Sequence, residues 1–179
     1  ISYMKREEGI AFLALGLGRT IVDGGKSLRF SPKYPNILPQ YYSIRSTIQN
    51  SQHEFFALDL NNGETPLTGG ESKNLIPFTL NDAEDDGVLK HLPSVVCDND
   101  NVIRDSLKYD GTRVLTFAHI LKYGRLPLAE IINQLLYLGS NALGCPVEIE
   151  FAVNLYNDEK NLDEFCLLQI RPMVIGDGL

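Results

Sequence analysis

The fold that we expect follows from two segments near the C-terminus, Val147-Glu148-Ile149-Glu150-Phe151 and Phe165-Cys166-Leu167-Leu168-Gln169-Ile170-Arg171-Pro172. Both are rich in β-branched and aromatic residues and alternate with a period of two, which predicts two strands. Side chains at i and i+2 share a face of a strand. Glu148 and Glu150 should therefore share one face of the first strand, opposite a set of apolar side chains: Val147, Ile149, Phe151 and Val153. On the second strand, Gln169 and Arg171 should share a face, opposite Cys166, Leu168 and Ile170.

Antiparallel pairing of these strands would bring two carboxylates, an amide and a guanidinium onto one face. Carboxylates supply the hard oxygen ligands that Mg²⁺ prefers, and the guanidinium fork of Arg171 suits phosphate oxygens. The same residues are also compatible with a solvent-facing cross-strand salt bridge between Glu150 and Arg171. Spacing alone leaves both interpretations open.

The composition is that of a soluble globular protein. A length of 179 residues fits one domain, and 44% hydrophobic with 22% charged residues is ordinary. The formal charge of −7 argues against nucleic acid or an anionic membrane as the main partner. It does not argue against a small anion, which responds to local charge.

Three scattered cysteines, an odd number, lack the spacing of a metal site: Cys97, Cys145 and Cys166. Free, largely buried thiols in a reducing compartment are expected, which favours a cytoplasmic location. The chain has no apolar run of signal-peptide or membrane-spanning length. It begins with Ile1 rather than Met and enters a strand-like segment almost at once, so we expect a fragment of a longer protein.

The apolar run Ile10–Leu15 predicts a buried strand that ends at Gly16-Leu17-Gly18. The following segment, Arg19–Gly25, is either a turn or a phosphate cradle. A G-x-G-x-x-G pattern fails because its third position is Ile21. A P-loop pattern fails because Thr20 stands where its first glycine is needed.

The proline-rich segment Leu28–Gln40 should be a loop or isolated extended pieces. Tyr41–Gln49 and Glu54–Leu60 have the composition of strands. Arg45-Ser46 could contact phosphate, although an exposed strand arginine is the commoner case.

Residues 61–112 are the least informative part of the sequence. An acidic cluster there is typical of a solvated face or a helix start: Asp82, Glu84, Asp85 and Asp86. Asn81 could cap a short helix that ends before Gly87. Thr68-Gly69-Gly70-Glu71-Ser72 resembles a phosphohistidine loop, but no histidine follows it. We interpret the three histidines as isolated surface or core residues: His53, His91 and His119.

Arg113–Phe117 has the composition of a strand and leads into one or two helical turns at Ala118–Tyr123. Helical spacing of apolar residues then predicts a helix over Pro127–Leu138, with proline in the first turn, where it is tolerated. Gly139 and Gly144 offer stops. The expected C-terminal architecture is helix, tight turn, strand, long loop and strand.

These C-terminal residues resemble a known family. Leu135–Gly139, then Gly144-Cys145-Pro146-Val147-Glu148-Ile149-Glu150-Phe151-Ala152, then Leu167-Leu168-Gln169-Ile170-Arg171-Pro172 are similar to the end of the ATP-binding domain of phosphoenolpyruvate synthases and pyruvate phosphate dikinases. That domain is of the ATP-grasp type. The segment that begins at Gly16-Leu17-Gly18 resembles the family's Gly-Leu-Gly-Glu segment. The resemblance implies an α+β fold, with a mostly antiparallel sheet packed against helices, over a single domain, residues 1–179, that forms the C-terminal portion of the nucleotide-binding domain.

The resemblance also implies roles for individual residues. Glu150 and Gln169 match metal ligands for Mg²⁺, and Arg171 matches the catalytic arginine that contacts the phosphate chain. The nucleotide-binding set that it implies is Glu148, Gln169, Arg171, Gly16 and Gly18. Two positions depart from the family: Glu148 stands where aspartate is usual, and Arg19 replaces the glutamate after Gly-Leu-Gly.

In the family, ATP with Mg²⁺ phosphorylates a histidine on a separate domain, for onward transfer to pyruvate. The implied partners are ATP, an upstream nucleotide-binding subdomain, and downstream phosphohistidine and pyruvate-binding domains, with no nucleic acid or membrane. The isolated fragment should be inactive. The two departures motivate an alternative, a non-catalytic regulatory or interaction module that retains the fold. An ATP-grasp ligase is a third possibility, although the Gln-x-Arg-Pro ending is closer to the dikinases.

Overall fold

The structure is a computed structural model that describes residues 8–59, 74–156 and 160–173. It contains α-helices and antiparallel strands, so the α+β class is confirmed. The helices are α1 (Arg19–Val22), α2 (Ile44–Asn50), α3 (Leu80–Asp85), α4 (Ala118–Leu121) and α5 (Leu128–Leu143), with a 3-10 turn at Pro39–Tyr41. The strands are β1 (Ala11–Leu13), β2 (Leu28–Phe30), β3 (Glu54–Leu58), β4 (Leu75–Thr79), β5 (Pro93–Cys97), β6 (Val102–Arg104), β7 (Thr112–Leu115), β8 (Val147–Asn154) and β9 (Glu164–Pro172).

The described strands form four small antiparallel sheets rather than one continuous sheet. The pairs β1–β2, β3–β4 and β8–β9 are two-stranded, and β6-β5-β7 is three-stranded. β5 is buried along its whole length and lies between its two partner strands, β6 and β7. Its sequence, Pro-Ser-Val-Val-Cys, lies in the region from which little could be predicted.

The apolar core joins β1, β2, α3, β7, α4 and the first half of α5. Phe30, Leu115 and Leu128 are among its most deeply buried side chains. Half-buried residues of β8 and β9 pack against this core from one side, among them Ile149 and Phe165. The C-terminal hairpin is therefore held on the core by one of its faces and leaves the other face to solvent.

The helix predicted over Pro127–Leu138 is confirmed, but it runs on to Leu143. Gly139 does not end it. This glycine lies buried inside the helix, where a Cβ atom would stand 2.4 Å from Ile170 Cδ1 and 3.1 Å from Val147 Cγ2. The helix ends at Gly144, whose φ of +68° is the left-handed conformation that favours glycine at a helix end.

The strand predicted over Tyr41–Gln49 is wrong, because most of this segment is α2. Ser43 begins the helix with a capping box: its hydroxyl accepts from the Ser46 backbone N–H, and the Ser46 hydroxyl accepts from the Ser43 N–H, each at 3.1 Å. Such a cap satisfies N–H groups that the first helical turn leaves without partners. Arg45 is consequently an exposed helical residue rather than a strand residue.

Other local predictions have mixed outcomes. The strands predicted at Ile10–Leu15 and Glu54–Leu60 contain β1 and β3, and the strand predicted at Arg113–Phe117 overlaps β7, which begins one residue earlier. The short acidic helix exists, but Thr79 rather than Asn81 caps it, with its side chain accepting from the Asp82 N–H. The predicted turn after Gly18 begins with the single helical turn α1 and then reverses at Gly24. The segment that resembles a phosphohistidine loop, residues 68–72, lies outside the described part of the chain. No helix among the described residues is long and apolar enough to span a membrane.

Candidate functional site

The hairpin β8–β9 brings the four predicted site residues together. Its antiparallel register places Glu148 opposite Arg171 and Glu150 opposite Gln169. Directly opposed residues of an antiparallel pair lie on the same face of the sheet. The expected convergence of two carboxylates, an amide and a guanidinium is therefore confirmed. We call this side of the hairpin the polar face, and the side that carries Val147, Ile149 and Ile170 the apolar face.

A β-bulge changes the facing of the first half of β9. Glu150 pairs with Gln169 but Phe151 pairs with Leu167, so Leu168 is the extra residue. Ala152 and Asn154 continue the polar face of β8, and their partners Cys166 and Glu164 lie on it too. The prediction that Cys166 lies on the other face of β9 from Gln169 and Arg171 is wrong, because the bulge shifts the alternation of side chains by one residue.

Arg171 is held by the carboxylates of β8. Its Nε donates to Glu148 Oε2 at 2.9 Å, and its Nη2 lies 4.0 Å from Glu150 Oε1. The close partner is thus Glu148, not Glu150 as the salt-bridge interpretation expected. All three side chains are about half exposed: 56% for Arg171, 45% for Glu148 and 57% for Glu150. An ion pair this exposed contributes about 0–1 kcal/mol, so the arginine can exchange its carboxylate partner for another anion at little cost.

The backbone of the hairpin is fixed at both ends. Near the loop that connects β8 to β9, Arg125 donates from Nε and Nη2 to both carboxylate oxygens of Asp163, at 2.6 and 2.9 Å, and also from Nη2 to the Tyr156 carbonyl. Asp163 in turn accepts from the Tyr156 N–H. Towards α5, the bare Cα of Gly139 lets Ile170 and Val147 approach the helix closely. The polar face therefore stands on a rigid support, as a binding site requires.

The polar face has too few ligands to hold a metal ion by protein side chains alone, but its oxygen ligands suit Mg²⁺. Among the described residues, no group of three or more His, Cys, Asp or Glu side chains could hold a metal ion. Mg²⁺ is usually bound through one or two carboxylates, with substrate phosphates and waters as its other ligands. Glu150 and the Gln169 amide oxygen fit that pattern, whereas zinc or iron would need nitrogen or sulfur ligands.

Gly16 and Gly18 belong to a loop fixed by β3. The Leu17 N–H donates to the Phe56 carbonyl at 3.1 Å, and a Cβ on Gly16 would stand 2.7 Å from that carbonyl oxygen. Gly16, at φ +82°, is thus required by a close approach of two backbones. Gly18 begins α1, and the Arg19 guanidinium lies over the Phe56 ring, 5.7 Å from its centre. A nucleotide-binding role for these glycines stays a prediction.

Sequence inspection missed a polar network centred on Asp105. One carboxylate oxygen accepts from the buried Ser94 hydroxyl at 2.6 Å. The other accepts from Lys122 Nζ at 2.9 Å and from the Tyr123 hydroxyl at 2.8 Å. Ser94 also shares a 2.5 Å hydrogen bond with Thr116. These residues are scattered along the sequence, so no local pattern indicates them; only the adjacency of Lys122 and Tyr123 is visible in the chain.

Opposing effects set the pKa of Asp105. Burial raises it, but hydrogen bonds from Ser94, Lys122 and Tyr123 and the charge of Lys122 together lower it below the ordinary range. The carboxylate is therefore ionised at neutral pH, and each of its oxygens accepts at least one hydrogen bond from within the fold. This pattern stabilises the junction of β5, β7 and α4.

Two of the histidines are not isolated. The rings of His91 and His119 meet edge to face with centres 5.6 Å apart, and His119 Nε2 lies 3.2 Å from the Asp105 carbonyl oxygen. Burial lowers the pKa of His91, and the neighbouring basic groups Arg125, His119 and Lys90 lower it further, against the opposite effect of Asp163. His91 is thus neutral at physiological pH.

The thiols are free, as predicted, but only partly buried. Cys97 is buried, Cys145 is half-buried and Cys166 is exposed on the polar face. The exposure of Cys166 follows from the bulge at Leu168, which turns its side chain away from the core.

Comparison of the chain with protein-family models, with characterised proteins and with solved structures gives no match.

Proposed function

We propose that the polar face of β8–β9 binds Mg²⁺ together with the polyphosphate of ATP. In this proposal the chain is the C-terminal part of an ATP-grasp-type nucleotide-binding domain. It belongs to a phosphotransferase similar to phosphoenolpyruvate synthase or pyruvate phosphate dikinase, which phosphorylates a histidine on a separate domain for transfer to pyruvate. The observation that supports it is the convergence of Glu148, Glu150, Gln169 and Arg171 on one exposed face.

Each side chain has a role that its chemistry suits. Glu150 would supply a carboxylate oxygen to Mg²⁺, and Gln169 an amide oxygen to the same ion or an N–H to a phosphate. Arg171 would contact the phosphate chain through its planar fork of donors. Glu148, which accepts from Arg171 Nε, would leave the Nη atoms of the guanidinium to face the ligand.

The bound polyphosphate would replace an interaction that is weak in the free protein. Phosphoryl transfer depends mainly on positioning and on neutralising the charge of the phosphates. The bound Mg²⁺ supplies part of that neutralisation, and Arg171 supplies another positive charge. Hydrogen bonds to charged groups contribute about 1.5–3 kcal/mol each, more than the exposed Arg171–Glu148 pair provides.

The openness of the polar face sets the expected affinity. A small-molecule site usually encloses most of its ligand, whereas the three charged side chains here are about half exposed. The remaining enclosure would come from another subdomain of the full-length protein. We therefore expect weak nucleotide binding by this chain and no turnover.

Isothermal titration with ATP and Mg²⁺ tests the proposal. Glu150→Gln and Arg171→Ala should each lower the affinity by about tenfold or more. Glu150→Gln should also reduce the dependence of binding on Mg²⁺. Asp98→Asn is the control, since it removes a charge from the exposed turn after β5, outside the polar face, and should bind like the wild type. Circular dichroism shows whether each variant folds. Equal affinity in all four proteins would contradict the assignment.

The second candidate is a non-catalytic regulatory or interaction module with the same fold. The 2.9 Å hydrogen bond from Arg171 Nε to Glu148 Oε2 favours this candidate, because it gives the guanidinium an anionic partner without any ligand. The two candidates differ in a simple observable. A module of this kind would show no Mg²⁺-dependent ATP binding in the titration, even when the upstream subdomain is present.

A further inference from the structure

The strand β9 is an open edge. Within the described residues its one strand partner is β8. Eight of its nine residues are exposed, and the six from Phe165 to Ile170 carry no charge. Leu168 is the most exposed of the leucines in this strand, at 65%. Native proteins usually protect such an edge with charged residues or cover it, because its free N–H and C=O groups otherwise pair with another strand.

The sequence of β9 is complementary to itself. In an antiparallel pairing with a second copy, the register that sets Glu164 opposite the partner's Arg171 also sets Phe165 opposite the partner's Ile170. It then sets Cys166 opposite the partner's Gln169. The first and third pairs lie on the polar face and the second on the apolar face, so side chains of like character meet.

Sliding this pairing by one residue destroys the match. Each polar-face residue would then stand opposite an apolar-face residue of the other copy, since facing alternates along a strand. In the matched register the two-fold axis passes between Leu167 and Leu168, so the bulges of both copies meet at the axis. Glu164, which already accepts hydrogen bonds from Tyr156 and Asn154, would gain a guanidinium partner across the interface.

We propose that β9 pairs with β9 of a second copy of this chain, in the register that sets Glu164 opposite the partner's Arg171. The two hairpins then form one four-stranded antiparallel sheet, β8-β9-β9-β8, with an α5 helix packed against the apolar face of each half. The pairing also buries exposed leucine surface near the axis. Because a single strand pair gives a small interface, the dimer is weak and depends on concentration.

Dimer formation would change the surroundings of Arg171 on the polar face, but it does not depend on nucleotide binding. It places the partner's Glu164 beside Arg171, where it competes with Glu148 for the guanidinium. The polar faces of the two copies become continuous across the axis. Dimerisation is therefore tested in the absence of ATP and Mg²⁺, and its outcome is independent of the titration described above.

Sedimentation velocity of the wild-type chain, from micromolar to millimolar concentration, should show a reversible monomer–dimer equilibrium. Leu168→Lys places two ammonium groups at the axis and should raise the dissociation constant at least about tenfold. Leu168 is largely exposed, so this change leaves the fold intact. A wild-type chain that stays monomeric, or a dimer that Leu168→Lys does not weaken, would overturn the proposal.

A disulfide trap tests the register itself. Gln169→Cys, in a Cys145→Ser background, should join the introduced thiol of one copy to Cys166 of the other under mild oxidation, as identified by mass spectrometry of the cross-linked peptides. Within one chain the same two thiols are three residues apart in an extended strand, roughly 10 Å, which is beyond disulfide reach. Glu148→Cys is the control, because it lies on the same face but on the strand away from the axis. Equal cross-linking of Cys166 in both variants would contradict the register.

Discussion

Tyr41 is a residue whose ionisation depends on its buried position. Its hydroxyl donates to the Leu115 carbonyl at 2.9 Å. Burial raises the pKa of Tyr41 to about 12, against a smaller lowering by the hydrogen bond with Ser51. A raised pKa in the folded state means that this group's stabilising contribution is complete below the unfolded pKa, about 10, and is lost as the pH rises towards 12.

Alkaline titration tests this pKa. The difference in tyrosinate absorbance between the wild type and Tyr41→Phe should have its midpoint near pH 12. The stability advantage of the wild type over this variant should fall as the pH is raised over the same interval. A midpoint near the ordinary value of about 10 would show that the phenol is not buried as described.

Gly139 lies where α5 packs closely against β9. Gly139→Ala improves helix propensity by about 0.5–1 kcal/mol, but its Cβ would stand 2.4 Å from Ile170 Cδ1. Crowding of this kind costs about 1–3 kcal/mol, so we expect a net loss of stability in urea unfolding. Ile170→Val removes the clashing atom, and the double variant Gly139→Ala/Ile170→Val should recover most of the loss. If the stability losses of the two single variants simply added in the double variant, the packing of α5 on β9 would be contradicted.

At the scale of elements, α2 depends on its first residue. Ser43→Ala removes the side-chain half of the capping box and should lower the free energy of unfolding by about 1 kcal/mol. Arg45→Ala is the control within the same helix, since Arg45 is exposed and alanine is a good helix former. Urea denaturation of both variants measures the difference. Equal stability of the two would show that the cap does not determine where α2 begins.

The elements predicted correctly are those with a strong local pattern. α5 has apolar residues at helical spacing, and β8 has an uninterrupted period of two, so both follow from the sequence. The segment Tyr41–Gln49 was misassigned because strand propensity is weak and a local cap outweighs it. β5 could have been identified from the apolar run at Pro93–Cys97, but its burial depends on strands that lie elsewhere in the chain.

The candidate site was only partly predictable for the same reason. Alternation alone placed Glu148 with Glu150 and Gln169 with Arg171, because the bulge falls outside both pairs. It could not place Cys166, which lies beyond the bulge. It also could not show that Glu148 is the close partner of Arg171, since that depends on the register between the strands.

At the scale of the whole molecule, Asp105 joins parts of the core that are distant in sequence. Its folded pKa lies below the ordinary value despite burial. A lowered folded pKa means that the stabilisation is present above the unfolded pKa, about 3.9, and is lost as the pH falls through the folded value. Asp105→Asn should therefore cost about 1–2 kcal/mol at pH 7, a modest amount because Lys122 and Tyr123 are exposed.

Urea unfolding at several pH values measures this dependence. The gap in stability between the wild type and Asp105→Asn should narrow as the pH falls below about 4. Asp98→Asn, on the exposed turn after β5, is the control and should follow the wild type throughout. A gap that stays constant with pH would show that the charge of Asp105 is not what holds β5 and α4 together.

The proposed ligand of the polar face of β8–β9 is a divalent cation bound together with a polyphosphate. Paramagnetic broadening locates such a cation directly, with Mn²⁺·ATP added to the ¹⁵N-labelled chain in place of Mg²⁺·ATP. We expect selective loss of the backbone amide signals around Glu148–Glu150 and Gln169–Arg171, and recovery of those signals when excess Mg²⁺·ATP is added. Broadening centred elsewhere, on the Asp82–Asp86 cluster for example, with β8 and β9 unaffected, would contradict it.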